Sequence, residues 1–123
     1  MSPILVVAPA ASRRRIVNIL HQAGYFVSEA NSGEAALVIA RSVRPGLILM
    51  AIVMSESNGL ETAAKLRRIA GLNSLPIVLL GSVTPIGLND EPLSSLVNGY
   101  LDFDVAANEL LTTVDGHLSS SNH

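Results

Sequence analysis

Short runs of aliphatic residues punctuate the chain without alternating between polar and apolar positions. Three such runs are Ile4–Ala8, Leu47–Ile52 and Ile77–Leu80. A strand exposed on one face alternates, whereas a strand covered on both faces does not. We therefore expect these three segments to be interior strands of a parallel sheet. Two weaker strand candidates, expected nearer the edges, are Tyr25–Glu29 and Gly99–Leu101.

Between the strands, apolar residues recur at the spacing of one helix face. The first helix should end at Gly24, the second should begin with Ser32 as N-cap and stop before Pro45, and the third should be closed by Gly71. The apolar positions that mark the four helices are Ile16, Leu20 and Ala23; Ala36, Leu37 and Ala40; Leu60, Ala63, Leu66 and Ala70; and Ala107, Leu110, Leu111, Val114 and Leu118. Repeated β-α units predict an α/β fold, a doubly wound five-stranded parallel sheet of the flavodoxin-like type.

One unit departs from this rhythm. The segment 84–96 contains Pro85, Gly87 and Pro92, which disfavour a full helix. We expect a shortened or irregular fourth helix there, beginning near Pro92 at the earliest. The domain should span residues 1–118, and residues 119–123 should form a disordered tail or the start of a linker.

Composition narrows the class of protein. Hydrophobic residues make up 49% of the chain and charged residues 15%, the net charge is −2, and cysteine is absent. Disorder, a disulfide framework and a thiolate nucleophile are thereby excluded. The segment Arg13–Arg15 and the cations Lys65, Arg67 and Arg68 are interpreted as solvated helix faces, so we expect no direct contact with nucleic acid.

No motif for catalysis, nucleotide or metal binding emerges. The histidines at 21, 117 and 123 lack metal-ligand spacing, and no glycine-rich phosphate loop follows a strand. The longest apolar run, Leu47–Met54, is too short to span a membrane, and the apolar start lacks a basic flank before it. We expect a cytoplasmic protein without a cofactor, a bound metal, a membrane contact or enzymatic activity.

Seven local phrases, in this order and at these intervals, resemble the receiver domain of bacterial two-component response regulators. The resemblance runs from Ile4 to about Leu118. The phrases are Ile4-Leu5-Val6-Val7, Ala23-Gly24-Tyr25, Ala30-Asn31-Ser32-Gly33-Glu34-Ala35-Ala36, Arg44-Pro45-Gly46-Leu47-Ile48-Leu49-Met50, Asn58-Gly59-Leu60-Glu61, Leu75-Pro76-Ile77-Val78 and Gly99-Tyr100-Leu101.

The resemblance implies a specific chemistry at specific positions. Receivers transfer a phosphoryl group to an aspartate after the third strand, with Mg²⁺ held by that aspartate and two acids after the first strand. A hydroxyl residue after the fourth strand and a lysine after the fifth bind the phosphoryl oxygens. In this chain the acidic pair falls on Ala8 and Pro9, the acceptor on Ala51, the hydroxyl on Gly81 and the lysine on Phe103.

These replacements predict a degenerate receiver, a pseudo-receiver, in which apolar Ala8, Ala51 and Phe103 close over the former pocket. The implied function is phosphorylation-independent protein interaction or dimerisation in signal transduction or transcription regulation, with an attached or separate output domain. One alternative is phosphotransfer through a displaced acceptor. Ser82 would serve only if the strand ends or bulges at Gly81, and Glu56 and Asp102 are interpreted as solvated loop carboxylates. Another alternative is a small-ligand sensor that uses the crevice at the carboxyl ends of the strands.

The partner is expected on the face formed by the fourth helix, the fifth strand and the fifth helix. Tyr100 matches the aromatic residue that changes rotamer in the family, and a fixed contact on an edge strand is the favoured interpretation here. We expect Leu93 and Leu96 to be buried. The partner-binding candidates are Ile86, Leu88, Leu93, Tyr100, Asp102 and Asp104.

Overall fold

Five parallel strands form one sheet in the order β2-β1-β3-β4-β5. The computed structural model describes residues 3–54, 58–69, 71–81 and 97–120. For residues 119 and 120 it describes the backbone and not the side chains. The strands are β1 (Ile4–Val7), β2 (Val27–Ala30), β3 (Leu47–Ala51), β4 (Ile77–Gly81) and β5 (Gly99–Asp102). The helices described are α1 (Ala10–Gln22), α2 (Gly33–Val43), α3 (Gly59–Leu66) and α4 (Ala107–Ser120), the last being the predicted fifth helix.

Helices cover both faces of the sheet, which explains why the interior strands do not alternate. Successive side chains of a strand point to opposite faces. Leu5 and Val7 face α2 and α3, whereas Ile4 and Val6 face α1 and α4. The α2–α3 core also includes Ala36, Ala40, Ile48, Met50, Ala63, Leu66, Ile77 and Leu79. The α1–α4 core also includes Ile16, Leu20, Leu47, Leu49, Val78, Leu80, Leu110 and Val114.

The predicted fold class is confirmed, and the two weaker strands lie at the edges as expected. The hydroxyl oxygen of Ser32 accepts a hydrogen bond from the Ala35 amide at 3.1 Å, which confirms the predicted N-cap of α2. Gly24 closes the first helical segment with a φ of 93°, a conformation that favours glycine. The irregular fourth helix predicted for segment 84–96 lies outside the described residues.

Two helix predictions need correction. The third helix ends at Leu66 rather than Ala70, because the Arg68 and Ile69 amides bond three residues back in tight turns. Ala70 itself lies outside the described residues. Ala107 is exposed rather than on the buried face of α4, and Val105, two residues before the helix, occupies the core instead.

The carboxyl end of the domain also differs from the prediction. Helix α4 continues through residue 120, so residues 119 and 120 belong to the helix instead of the predicted tail. Residues 121–123 lie outside the described part of the chain. Across the described ranges, no helix combines the length and apolar character needed to cross a bilayer.

Candidate functional site

Four strand ends bring the positions implied by the receiver resemblance to one edge of the sheet. Ala8 follows β1, Ala51 ends β3, Gly81 ends β4 and Phe103 follows β5. The carboxyl ends of parallel neighbouring strands meet at the same edge, where α/β folds of this type carry their sites. Ala8 and Ala51 are fully buried in the α2–α3 core, and half-buried Phe103 packs against this core and against the α1–α4 core. Pro9, the fifth position, is exposed and precedes α1.

The side chains at these five positions supply no oxygen ligand. Mg²⁺ prefers carboxylates and other oxygens, whereas these positions present methyl groups, a phenyl ring, a pyrrolidine ring and a bare glycine. Among the described residues no group of three or more metal-ligating side chains exists. The residues at these positions therefore do not fit a magnesium site. Glu56 and Ser82, the sequence candidates for a displaced site, lie outside the described residues.

An arginine instead reaches the carboxyl end of β1. Nη1 of Arg13 donates to the Ala8 carbonyl oxygen at 2.7 Å, and Nε pairs with Oε1 of Glu29 at 2.8 Å. The Arg13 side chain is only 18% exposed, so the interpretation of Arg13 as a solvated residue is wrong. Arg13 therefore links the carboxyl ends of β1 and β2 at this edge, with its charge paired to the Glu29 carboxylate.

Arg15 makes the equivalent connection on the other side of α1. Its Nη1 donates to the Phe103 carbonyl at 2.9 Å, and its Nη2 donates to the Val105 carbonyl at 2.6 Å. These bonds join the second turn of α1 to the loop between β5 and α4. Arg14 between them is exposed, as the sequence analysis expected for all three. The sequence signal for these contacts was the position of the arginines early in α1. A helix that starts directly after a strand places its first side chains near the carbonyl groups at the strand ends.

Tyr100 lies against the space above Gly81. A Cβ atom on Gly81 would be 3.3 Å from the Tyr100 hydroxyl and 3.0 Å from Cδ1 of Ile52. The hydroxyl is buried and has no hydrogen-bond partner within the described ranges. Burial, followed by the charge of Asp102, raises the pKa of Tyr100. The ring thus packs on the α2–α3 core.

Asp102 and Asp104, the two acidic partner-binding candidates, are exposed at this edge. Oδ1 of Asp102 accepts a hydrogen bond from the Asp104 amide at 2.9 Å, which forms a local turn after β5. The remaining partner candidates, Ile86, Leu88 and Leu93, lie outside the described residues, as does Leu96. The structure therefore brings the five implied chemical positions together with Tyr100 and Asp102 and leaves the apolar partner candidates undescribed.

The start of α3 packs closely against the backbone at the carboxyl end of β3. A Cβ atom on Gly59 would lie 2.5 Å from the Ala51 carbonyl oxygen, so a larger residue does not fit without displacement. The Gly59 amide donates to the Ile52 carbonyl at 2.7 Å. The side chain of Asn58 caps α3 by accepting from the Glu61 amide at 2.8 Å.

Comparison with known proteins places these features in a family. The family model of the response regulator receiver domain matches residues 4–115. The chain is 30% identical over 100 residues to a protein named histidine kinase P4 from Formosa agariphila, and this match covers 81% of the chain and 7% of that protein. It is 30% identical over 89 residues to the transcriptional regulatory protein YdfI of Bacillus subtilis, covering 72% of the chain and 40% of that protein.

Solved structures agree. The chemotaxis response regulator CheY4 of Vibrio cholerae superimposes with a TM-score of 0.85 at 26% identity, covering 96% of this chain and 99% of that one. A two-component response regulator from Clostridium difficile covers both chains completely with a TM-score of 0.87, and its 21% identity supports the fold alone. The chain spans less than half the length of the two curated relatives described above. By its family match and its fold, the chain belongs to the response regulator receiver domains.

Proposed function

We propose that this receiver domain signals without aspartyl phosphorylation and acts as a protein-interaction module. The observation that carries the proposal is Ala51, fully buried at the carboxyl end of β3, where the family's phosphoacceptor would lie. A methyl group has no nucleophilic atom, and no neighbouring position among the five provides one.

The arginines of α1 support the same conclusion. A receiver that binds Mg²⁺ needs negative charge at the carboxyl end of β1, whereas Arg13 places a guanidinium 2.7 Å from the Ala8 carbonyl oxygen. Arg15 fixes the backbone at Phe103 and Val105, and Phe103 stands where the family's phosphate-binding lysine would lie. Both contacts stabilise one arrangement of this edge in the absence of any ligand.

The surface of β5 and α4 is the proposed docking face, and its charge indicates the kind of partner. Residues 97–120 contain no lysine or arginine. Exposed carboxylates on this stretch are Asp102, Asp104, Glu109 and Asp115. An isologous dimer would bring these like charges together, which costs free energy. A protein partner with a basic surface fits this face better than a second copy of the chain.

Amide NMR tests the loss of phosphorylation chemistry. Mg²⁺ and then beryllofluoride, the mimic of an aspartyl phosphate, are titrated into the wild type at constant ionic strength. We expect no shift beyond that of the salt control. The variant Ala8→Asp/Pro9→Asp/Ala51→Asp restores three carboxylates and is expected to gain saturable Mg²⁺-dependent shifts. Saturable shifts of Ala8, Ala51 and Gly81 in the wild type would contradict the proposal.

Light scattering tests the choice of partner. We expect a mass near 12.9 kDa, that of one chain, at low and high salt. A mass of twice this value that Asp104→Lys abolishes would show that the β5–α4 face binds a second copy. In that case the basic partner is excluded, while the absence of phosphorylation chemistry is unaffected.

A further inference from the structure

A basic pocket lies between the α2 and α3 segments, on the opposite face of the sheet from α1 and α4. Its volume is about 430 Å³. Arg41, Lys65 and Arg68 contribute the cations, and Leu37 and Ile69 contribute the apolar wall. We call this cavity the α2–α3 pocket.

The α2–α3 pocket is remote from the edge that carries Ala51. Arg41 lies in the last turn of α2, and Lys65 lies in the last turn of α3. In a β-α unit the helix runs back along the sheet, so the carboxyl end of each helix lies near the amino ends of the strands. The pocket thus occupies the other end of the sheet and is independent of the former phosphorylation site.

The three cations of the pocket have no part in the hydrogen bonds and ion pairs of the described residues. Within the described ranges, their side chains make no hydrogen bond to protein and no ion pair, and all three are exposed. Glu61 lies one turn before Lys65 on α3 and still forms no ion pair with it. Neighbouring Arg67, by contrast, bonds the Leu75 carbonyl and Oδ1 of Asn98. Arg67 is therefore a structural arginine, whereas Arg41, Lys65 and Arg68 line the pocket without a described protein partner.

Three like charges around one cavity repel one another, and an anion removes that repulsion. Two guanidiniums with one ammonium suit a phosphate, since arginine binds it in a bidentate manner and lysine as a point charge. The volume falls within the usual range of about 300–1,000 Å³ for small-molecule sites. Leu37 and Ile69 offer contact to an apolar group attached to the phosphate.

We propose that the α2–α3 pocket binds the phosphate group of a small phosphorylated organic molecule. The site gives the domain a chemical input that does not depend on residue 51. This inference stands independently of the proposed docking face, because none of the pocket residues lies on β5 or α4.

NMR titration of the wild-type chain tests the proposal with inorganic phosphate, pyrophosphate and phenyl phosphate at constant ionic strength. We expect saturable amide shifts around Leu37, Arg41 and Lys65 and tighter binding of phenyl phosphate than of inorganic phosphate. Arg68→Gln and Arg41→Gln should each weaken pyrophosphate binding about tenfold. The matched control is Arg14→Gln, which removes the same charge on α1 and should leave the affinity unchanged.

Three results would overturn the proposal. The first is the absence of saturable shifts with every probe. The second is an equal loss of affinity in Arg14→Gln, which indicates nonspecific charge attraction. The third is tighter binding of a poly-aspartate peptide than of pyrophosphate, which assigns the pocket to an acidic protein segment instead.

Discussion

The hydroxyl oxygen of Tyr100 lies 3.3 Å from the place where a Cβ atom of residue 81 would stand, so the position of the tyrosine ring depends on glycine at that site. Ile52 limits the same space, with its Cδ1 atom at 3.0 Å. The receiver fold normally carries a hydroxyl residue at this position, and its absence here removes both a phosphate contact and a steric barrier to the ring.

Gly81→Thr should therefore displace Tyr100. We expect the free energy of unfolding to fall by about 1–2 kcal/mol and the NMR chemical shifts of the Tyr100 ring to change. In a Tyr100→Leu background the same substitution should cost less, because the obstructing ring is gone. Gly99→Ala is the control, since its added Cβ would lie 3.8 Å from Val78 in ordinary contact. Additive effects of the two substitutions would contradict the steric account.

Alkaline pH should destabilise the domain through Tyr100. Burial and Asp102 raise the pKa of Tyr100 in the folded state. The unfolded chain then releases the proton first, at a pH near ~10, so this contribution to stability is full below that pH and is lost as the pH rises towards the folded pKa. Tyr100→Phe should show a smaller decline between pH 9 and 11 in urea unfolding. At pH 7 it should be neutral or stabilising by up to about 1 kcal/mol, because it removes an unpaired buried hydroxyl. Parallel pH curves for the two proteins would refute this role.

Two glycine substitutions should have opposite signs. Gly59→Ala places a methyl group 2.5 Å from the Ala51 carbonyl oxygen and should cost about 1–3 kcal/mol. Gly116→Ala lies inside α4, where the new Cβ would have no described atom within 4 Å outside the backbone of its own helix, and should stabilise the domain by about 0.5–1 kcal/mol. Denaturant unfolding measures both. A stabilising Gly59→Ala would show that the backbone of β3 yields at Ala51.

Adjacent arginines should differ sharply in their contribution to stability. Arg67 donates to the Leu75 carbonyl and, at 3.0 Å, to Oδ1 of Asn98, and the same amide oxygen accepts from the Ile77 amide at 2.9 Å. Arg67→Gln should reduce the free energy of unfolding by about 1–3 kcal/mol, since it removes the guanidinium donor from the part-buried Leu75 carbonyl. Arg68→Gln, in the exposed neighbour, should stay within about 0.5 kcal/mol of the wild type. Equal effects in thermal or urea unfolding would show that the Arg67 contacts contribute nothing net.

The aliphatic runs were sufficient to predict the sheet. Leu47–Ala51 is buried at every position, which is what an apolar run without alternation indicates for a strand covered on both faces. Ser32 was recognised as an N-cap because its side chain acts on residues next to it in sequence. Interactions between residues close together in sequence, such as this cap, can be predicted from the sequence alone.

The roles of the arginines could not be predicted in the same way. Arg13, Arg15 and Arg67 bind backbone carbonyls, and a carbonyl carries no residue-specific signature in the sequence. Arg15 reaches acceptors 88 and 90 residues away, which only the assembled sheet brings near it. The same limit applies to Ala107, whose expected place in the core is taken by Val105 through the path of the preceding loop.

The strand order has a consequence for how quickly the domain folds. Ile4 pairs with Val27 on one side and with Leu47 on the other, and Val78 pairs with Gly99, so no strand pair is closed by a short hairpin. Each pairing requires the closing of a long loop, and the loss of chain entropy slows folding relative to a helical bundle of equal length. During synthesis β1 emerges before any of its neighbours, and it stays without a partner until residues 27–30 and then 47–51 have left the ribosome. While β1 lacks a partner strand, its apolar residues and unpaired backbone groups make the nascent chain prone to aggregation.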